Sequence, residues 1–206
     1  MTNSTQAHWD HIYQTKAANE LSWFQEHPAI SLDLIRATGA KPGAAIIDVG
    51  GGASRLVDAL LDEGFRDVTV LDLSDKALAA AKARLGPRSA KVVWIAAGVT
   101  AWEPSETYDL WHDRAAFHFL TEAADHRAYA DRVARAARPG GHVIIGTFAL
   151  DGPERCSGLP ALRHDAASIG SILGEGFALI ESRRHDHVTP AGRTQRFQFS
   201  HFRRKY

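Results

Sequence analysis

Apolar and polar positions alternate along the chain with two different periods. Short apolar runs such as "AAIIDV", ending at Val49, predict buried strands. The stretch that follows, "SRLVDALLDEG", repeats its apolar residues on one helical face: Leu56, Val57, Leu60 and Leu61. Gly64 is placed to end this helix. A strand followed by a helix of this length is the unit from which parallel sheets are built.

The same alternation continues through the chain. Strands are predicted in "DVTVLDLS", "KVVWIAA", "YDLWHDR" and "HVIIGTFA". Helices are predicted in "DKALAAAKARLG", ending at Gly86, and in "DHRAYADRVARAARPGG", ended by Pro139, Gly140 and Gly141. Two further strands flank "TPAG" near the C-terminus. We therefore expect an α/β fold: a doubly wound, mostly parallel seven-stranded sheet with helices on both faces and a C-terminal antiparallel hairpin.

Two helices are predicted ahead of the first strand. Trp9, Ile12 and Tyr13 fall at helical spacing in "AHWDHIYQTKAA". Pro28 suits the first turn of a second helix, which "TGAKPG" ends. No long linker and no repeat divides the chain. We expect one domain, in which residues 1–40 form a helical lid and residues 41–206 form the α/β core.

Composition narrows the classes of partner. The 206 residues include 24 Lys and Arg and 24 Asp and Glu, so a net charge of zero favours neither nucleic acid nor an anionic membrane as partner. The N-terminus is polar, and no apolar run approaches the ~18 residues of a membrane span. The single cysteine, Cys156, fits a cytoplasmic protein. The 11 histidines form no metal-ligand motif, so no metal is expected; nothing indicates an oligomeric state.

Three consecutive glycines between the first strand and its helix carry the main chemical signal. Glycine lets a ligand approach the backbone closely, and the helix N-terminus that follows favours anionic groups. A phosphate-binding P-loop would need a Lys-Ser or Lys-Thr pair, which is absent. In the dinucleotide pattern G-x-G-x-x-G, Gly50 and Gly52 fit, but Arg55 replaces the third glycine. Asp48 precedes the loop, and its carboxylate suits an ammonium group better than a pyrophosphate.

An acidic residue at the end of the second strand adds to this. Asp72 lies 20 residues after Gly52, where a carboxylate accepts hydrogen bonds from ribose hydroxyls. Enzymes that use NAD share this feature, so it does not distinguish the two cofactors. Alternatively, Asp72 caps the start of the following helix, although Ser74 or Asp75 suits that role better. A ligand with both an amino acid end and a ribose, such as S-adenosylmethionine, fits the loop best.

Four segments in order, "IIDVGGGAS", "VTVLDLS", "YDLWHDR" and "ARPGGHVIIGTF", resemble the motifs of the class I S-adenosylmethionine-dependent methyltransferases. The resemblance covers roughly residues 44–199, including the closing hairpin, and implies a Rossmann-like fold. The N-terminal "HWDHIYQTKAANELSWFQEHP" is similar to a subgroup with W-D-x-x-Y and S-W-[FY]-Q segments. That subgroup includes bacterial small-molecule enzymes and protein lysine methyltransferases.

The resemblance implies roles for the cofactor side of the site. The methionine part would lie against Asp48, Gly50, Gly51 and Gly52. The ribose would bind Asp72, the adenine would pack on Leu73, and Tyr13 would reach the cofactor carboxylate. The family often has an acidic residue near Gly98 for the adenine amino group. Here backbone groups of Gly98 and Val99 would have to replace it.

The fourth strand ends in "WHDRAAFHFL", whose side chains should face the transferred methyl group. His112 is the candidate base or a wall of the cofactor site, and Asp113 is the candidate residue that orients it. Alternatively, His112 only packs on the cofactor, and Asp113 begins a helical turn. The candidate substrate contacts are Trp23 and Phe24 from the lid, Arg114, His118, Arg155 and Arg196. For most of these, structural or solvated roles remain open.

We expect an S-adenosylmethionine-dependent methyltransferase that acts on a small molecule. Three alternatives remain: a protein lysine methyltransferase, an NAD-dependent reductase, and a cofactor-binding domain without catalysis. The missing third glycine counts against the reductase. The arginines near the expected mouth of the site count against a lysine substrate. The acceptor atom is left open by the sequence.

Overall fold

A computed structural model describes residues 3–206 of the chain. The helices are α1 (Asn3–Thr15), α2 (Ala29–Ala37), α3 (Leu56–Asp62), α4 (Asp75–Leu85), α5 (Ala123–Ala136) and α6 (Ala166–Leu173). The strands are β1 (Ala45–Val49), β2 (Asp67–Asp72), β3 (Val92–Ala96), β4 (Tyr108–Arg114), β5 (Ala137–Phe148), β6 (Arg155–Cys156), β7 (Leu159–Pro160), β8 (Phe177–Val188) and β9 (Thr194–Arg204).

Seven strands form one sheet in the order β3-β2-β1-β4-β5-β9-β8. Neighbours from β3 to β5 run parallel, whereas β9 is antiparallel to both β5 and β8. The expected mixed sheet with its terminal hairpin is confirmed. Strand order reverses between β1 and β4, and in open α/β sheets ligands bind beyond the carboxyl ends of the strands at such a point.

The core lies on both faces of the sheet, which explains why β1 is buried along its whole length. Successive strand residues point to opposite faces. In β4, Leu110 packs with α2 and α3 on one face, and Trp111 packs against Tyr129 of α5 on the other. By the same alternation His112 shares a face with Leu110, and Asp113 shares a face with Trp111.

Boundaries differ from the sequence prediction in two places. The α5 helix ends at Ala136, and β5 already begins at Ala137, so "RPGG" is the start of a strand and not the end of a helix. Arg204 of β9 donates to the carbonyl of Ala137, which holds this segment in the sheet. The α6 helix and the small β6–β7 hairpin were not predicted. Across residues 3–206, every helix is too short or too polar to cross a membrane.

Candidate active site

The glycine loop after β1 is closed so tightly that side chains would not fit. Gly50 has φ of +68°, and a Cβ there would lie 2.4 Å from Cβ of Ala116. A Cβ on Gly51 would lie 2.5 Å from Oδ2 of Asp48, and one on Gly52 would lie 2.8 Å from Oδ2 of Asp72. The loop backbone therefore runs directly beside two carboxylates, which only glycine permits.

A cavity opens above this loop, at the carboxyl ends of β1, β2, β3 and β4. It is lined by Trp9, Tyr13, Trp23, Val49, Gly50, Leu71, Asp72, Leu73, Ala97, Val99, Arg114, Ala115, Ala116, Phe119 and Cys156. A smaller cavity beside it is lined in part by Asp48, Gly51, His112 and Arg114. Most of the residues expected to bind a cofactor thus lie at one place.

Asp72 is a buried carboxylate at the end of β2. Its Oδ1 accepts the backbone N–H of Ser74 at 2.7 Å. Burial raises the pKa of Asp72 to about 7, the nearby Asp48 and Asp10 carboxylates add to the shift, and the N–H groups of Ser74 and Gly52 oppose it. A hydroxyl that donates to this carboxylate would replace part of the water it has lost.

The segment after β3 provides one wall of the cavity. Val99 is buried and lines it. The carbonyl oxygen of Gly98 accepts the N–H groups of Ala101 and Trp102, both at 2.9 Å. This oxygen is used in a turn, and Ala97 and Val99 are the residues of this segment that line the cavity.

His112 is the centre of a buried polar chain. Its Nδ1 lies 2.7 Å from Oδ1 of Asp48, and its Nε2 lies 2.9 Å from Oγ of Ser31 on α2. With Asp48 ionised, Nδ1–H donates to the carboxylate and the Ser31 hydroxyl donates to Nε2. Both ring nitrogens of His112 are therefore hydrogen-bonded. Asp48, and not Asp113, is the carboxylate that orients the imidazole ring.

Asp113 points to the other face of the sheet. Its carboxylate accepts the N–H groups of Ala116 and Phe117 and the hydroxyl of Tyr129, at 2.8 to 3.1 Å. Burial raises its pKa to about 6, against these hydrogen bonds. The hypothesis that Asp113 orients His112 is wrong, because strand alternation separates the two side chains. Asp113 instead fixes the turn that carries Ala116 to the cavity.

The N-terminal segment covers the cavity from above. Oδ1 of Asp10 on α1 accepts the Ser74 hydroxyl at 2.6 Å, which ties α1 to the start of α4. Trp9 packs edge-on against Trp23 and Phe119, with ring centroids 5.7 and 5.0 Å away. These three rings form the aromatic wall of the cavity, a name used below for Trp9, Trp23 and Phe119 alone.

Two backbone carbonyls in the segment after α1, those of Ser22 and Trp23, anchor the covering segment to the core. His187 of β8 contacts the carbonyl of Ser22 through Nε2 at 2.7 Å, and Nη2 of Arg114 donates to the carbonyl of Trp23 at 2.6 Å. Phe24, the other expected lid residue, packs under the guanidinium of Arg55, 5.8 Å from its ring centroid. Trp23 therefore lines the main cavity, whereas Phe24 lines a smaller one beside it.

Tyr13 lies over the glycine loop. Its hydroxyl would stand 3.0 Å from a Cβ on Gly52, and it lines the main cavity. Burial and the charge of Asp72 raise its pKa, so the hydroxyl keeps its proton. The Tyr13 hydroxyl is thus close to Asp72, at the ribose side of the expected cofactor. Its expected contact with the cofactor carboxylate stays a prediction.

Three of the expected substrate contacts lie outside the cavity. His118 is completely buried between Phe119 and Phe148, and burial lowers its pKa to about 3, so it is a neutral core residue. Arg155 is exposed and donates to the carbonyl of Gly158. Arg196 is exposed and pairs with Asp151 at 3.2 Å. None of the three lines the main cavity.

Some residues of the site were not expected from the sequence. These are Ser31, Trp9 and Phe119. Cys156, a candidate substrate contact on the sequence, also lines the main cavity, and burial raises its pKa. Trp9 stands four residues before Tyr13, so both fall on one face of α1, and this spacing was the available signal. Within residues 3–206, no group of three or more His, Cys, Asp or Glu is arranged to hold a metal ion.

Comparison with known proteins agrees with this geometry. A protein-family model described as a methyltransferase domain matches residues 46–141, from β1 into β5. The matched segment contains the glycine loop, Asp72 and the end of β4. No curated protein matches the chain.

Several solved structures share the fold of this chain. The N-methyltransferase NodS from Bradyrhizobium japonicum WM9, solved with S-adenosyl-L-homocysteine, gives a TM-score of 0.73 at 19% identity, over 96% of this chain and 98% of that chain. The 1,6-didemethyltoxoflavin-N1-methyltransferase of Burkholderia thailandensis gives a TM-score of 0.69 at 21% identity, over 98% of this chain and 85% of that chain. A SAM-dependent methyltransferase from Anabaena variabilis ATCC 29413 gives a TM-score of 0.77 at 14% identity, over 98% of this chain and 94% of that chain. At these identities the likeness establishes the shared fold.

Proposed function

We propose that the protein is an S-adenosylmethionine-dependent methyltransferase that methylates a small-molecule acceptor. The observation that carries this is the contact of the closed glycine loop with two buried carboxylates, Asp72 at the main cavity and Asp48 at the smaller cavity beside it. An ammonium and a ribose are the groups that two such carboxylates suit. The methyltransferase domain matched over residues 46–141 supports the same activity.

The residues present fit this cofactor. Oδ1 of Asp48 is taken by His112, whereas Oδ2 lies beside Gly51, where it is placed to receive the ammonium of the methionine end. Asp72 would accept from the ribose hydroxyls, and the adenine would pack between Leu73 and Val99. Every glycine of the loop stands where a Cβ would collide with one of these groups or with Ala116.

When bound, the cofactor supplies an electrophilic methyl group on a sulfonium whose thioether leaves readily. The chain's own residues position the acceptor and exclude water. The aromatic wall of Trp9, Trp23 and Phe119 shields the reaction centre, and ring faces attract a nearby cation.

In the described part of the cavity each candidate general base has another role: Asp72 would hold the ribose, and burial, which raises the pKa of Cys156, keeps its thiol protonated. His112 has both nitrogens occupied, Asp113 lies on the other face, and Tyr13 keeps its proton. We therefore infer that the acceptor presents a nucleophile that needs no base, such as a neutral amine, a thiolate or an already ionised oxygen. The protein accelerates the transfer by alignment.

A small acceptor is favoured because α1 and the segment through Trp23 cover the cavity. In this proposal residues 1–40 act as a lid on a single domain. The fold relatives include enzymes described as methylating a toxoflavin precursor and as N-methyltransferases. We also propose a cytoplasmic location, where the lone Cys156 stays reduced, and no nucleic acid partner, given the balanced charge.

The test is transfer of a labelled methyl group from S-adenosylmethionine to pooled acceptors. One set of pools contains small metabolites and the other contains lysine-bearing peptides. Label in the metabolite pools is the expected result. Label confined to peptides would instead establish a protein lysine methyltransferase. Tight binding of S-adenosylhomocysteine with no label in either set would indicate a cofactor-binding domain without catalysis.

A further inference from the structure

Arg114 stands where the cavities of the site meet. Its side chain lines the main cavity and both smaller ones beside it. The guanidinium makes one hydrogen bond to residues 3–206, from Nη2 to the carbonyl of Trp23 at 2.6 Å. A guanidinium carries five N–H donors, so most of its donors remain for a ligand.

This cation has no anionic partner of its own. No carboxylate of the described residues lies within 4.0 Å of the guanidinium, and the charge of Asp48 acts on it from beyond that distance. Burial lowers the pKa of Arg114 because the charged group is partly desolvated. A desolvated charge without a partner is costly, and an anionic ligand would relieve that cost.

Its place along the sheet separates it from the expected cofactor. Asp72 ends β2 and Asp48 lies in β1, so the ribose and ammonium would occupy that side. Arg114 ends β4, the next strand, and Cys156 follows β5 beyond it. The charge of Arg114 also helps lower the pKa of His185 on β8, after the larger effect of burial. The positive field thus extends toward the acceptor side.

The main cavity at Arg114 is lined mostly by apolar side chains. The rings of the aromatic wall, Ala115 and Cys156 belong to this lining, and Arg114 is its one cation among the described residues. A cavity with aromatic rings and a single cation suits an aromatic body, which is flat, with one anionic group. The guanidinium fork matches a carboxylate in particular, because two parallel N–H groups meet its two oxygens.

We propose that Arg114 binds a carboxylate of the acceptor, so that the substrates are flat, mostly apolar acids. This inference rests on the proposed function, since it assigns the acceptor half of the same site. It makes Arg114 a specificity-determining residue that selects the acceptor by its anionic group.

The experiment measures binding by calorimetry with S-adenosylhomocysteine present. The probes are 2-naphthoate and its uncharged isostere 2-naphthamide, titrated into the wild type, Arg114→Gln and Arg114→Lys. Gln keeps a donor for the Trp23 carbonyl, and the melting temperature of each variant checks its fold. Arg88→Gln, an exposed arginine that pairs with Asp62, is the matched control.

The wild type and the Arg88→Gln variant should bind 2-naphthoate at least ~10-fold more tightly than 2-naphthamide, as a charge-assisted pair predicts. Arg114→Gln should lose this preference, and Arg114→Lys should keep part of it. S-adenosylhomocysteine should bind all four proteins within about threefold, because in this proposal the guanidinium of Arg114 contacts the acceptor and not the cofactor. Equal binding of the two probes by the wild type, or a preference that survives in Arg114→Gln, would overturn the proposal.

A second arm separates the acceptor from the cofactor as the source of the carboxylate. S-adenosylhomocysteine carries a carboxylate, whereas 5′-methylthioadenosine lacks the whole amino acid end. If Arg114→Gln weakens only the former, Arg114 holds the cofactor and the proposal fails. If the wild type binds neither nucleoside, the proposed function fails, and the two naphthalene probes titrated alone still decide the role of Arg114.

Discussion

Asp72 couples the candidate cofactor site to pH. Its pKa is about 7 in the folded chain against an ordinary value of 3.8, because burial penalises the ionised form. Between these values the folded chain holds a proton that the unfolded chain releases. The stability contributed by this proton is present at low pH and is lost as pH rises toward 7.

The Asp72→Asn variant should therefore be more stable than the wild type at pH 8. We expect a rise in melting temperature of about 2–6 °C, since each kcal/mol is worth about 2–4 °C in a chain of this size. At pH 5 the difference should shrink, because Asp72 is then protonated in the folded wild type. Thermal unfolding at both values checks this. A lower melting temperature for the variant at pH 8 would contradict it.

The same substitution should weaken binding of S-adenosylhomocysteine. An amide replaces the charged acceptor of the ribose hydroxyls, which predicts a loss of ~10-fold or more in Kd. Wild-type affinity should also fall as pH is lowered below 7, whereas the affinity of Asp72→Asn should stay flat over that range. Calorimetric titration from pH 6 to 8 measures both. A wild-type affinity that rises on acidification would count against this role of Asp72.

We propose that the hydrogen-bonded chain from Ser31 through His112 to Asp48 positions the Asp48 carboxylate instead of acting as a base. Ser31→Ala and His112→Leu should free Asp48 to rotate and so weaken its contact with the cofactor ammonium. We expect the affinity for S-adenosylhomocysteine to fall ~10-fold and the affinity for 5′-methylthioadenosine, which has no ammonium, to change little. Ser89→Ala, at a remote serine that donates to Gly86, is the control. Equal losses for both ligands would indicate general damage instead.

Alanine substitutions at Gly50 and Gly64 separate backbone strain from loss of the cofactor site. Gly50→Ala adds strain at a φ of +68° and a collision with Ala116, whereas Gly64→Ala adds strain at +86° with no atom within 4 Å of the new Cβ. Both should lose about 1–2 kcal/mol of stability from the left-handed backbone. Only Gly50→Ala should also lose S-adenosylhomocysteine binding. Intact binding in Gly50→Ala would show that the loop is not the cofactor cradle.

At the scale of elements, the sequence predicted the parallel strands and the terminal hairpin because their apolar periods and turn residues are local signals. The α6 helix was missed because its run "AASIGSIL" is short, its isoleucines suit a strand as well, and its glycine weakens a helix. The capping box of Asp165 and Ser168 is a local helical sign. The contacts of His112 lie 64 and 81 residues away in sequence, so no local pattern reveals them.

The α1 helix should behave as a cover whose closure depends on its bond to α4. Asp10→Ala removes the acceptor of the Ser74 hydroxyl and should raise the dissociation rate of S-adenosylhomocysteine about fivefold, the worth of one such bond. Hydrogen exchange in α1 should speed up in parallel. Asp33→Ala, on the exposed face of α2, is the control. Unchanged rates in Asp10→Ala would mean that α1 is not a lid.

At the scale of the whole molecule, the mixed sheet places its functional groups in one row. The reversal of strand order between β1 and β4 leaves an opening at the carboxyl edge of the sheet. Asp72, Asp48 and Arg114 follow one another across it, so an adenosine, an amino acid and an acceptor would lie in sequence. One connected site with one cover is what transfer between two bound small molecules needs.

The most direct measurement is a calorimetric titration of the protein with S-adenosylhomocysteine, with NADH as the competing ligand. The account predicts binding of S-adenosylhomocysteine at one site per chain and no heat from NADH, because the loop lacks the third glycine and faces Asp48. Binding of NADH alone would mean that the glycine loop holds a dinucleotide. Binding of neither ligand would contradict the methyltransferase itself.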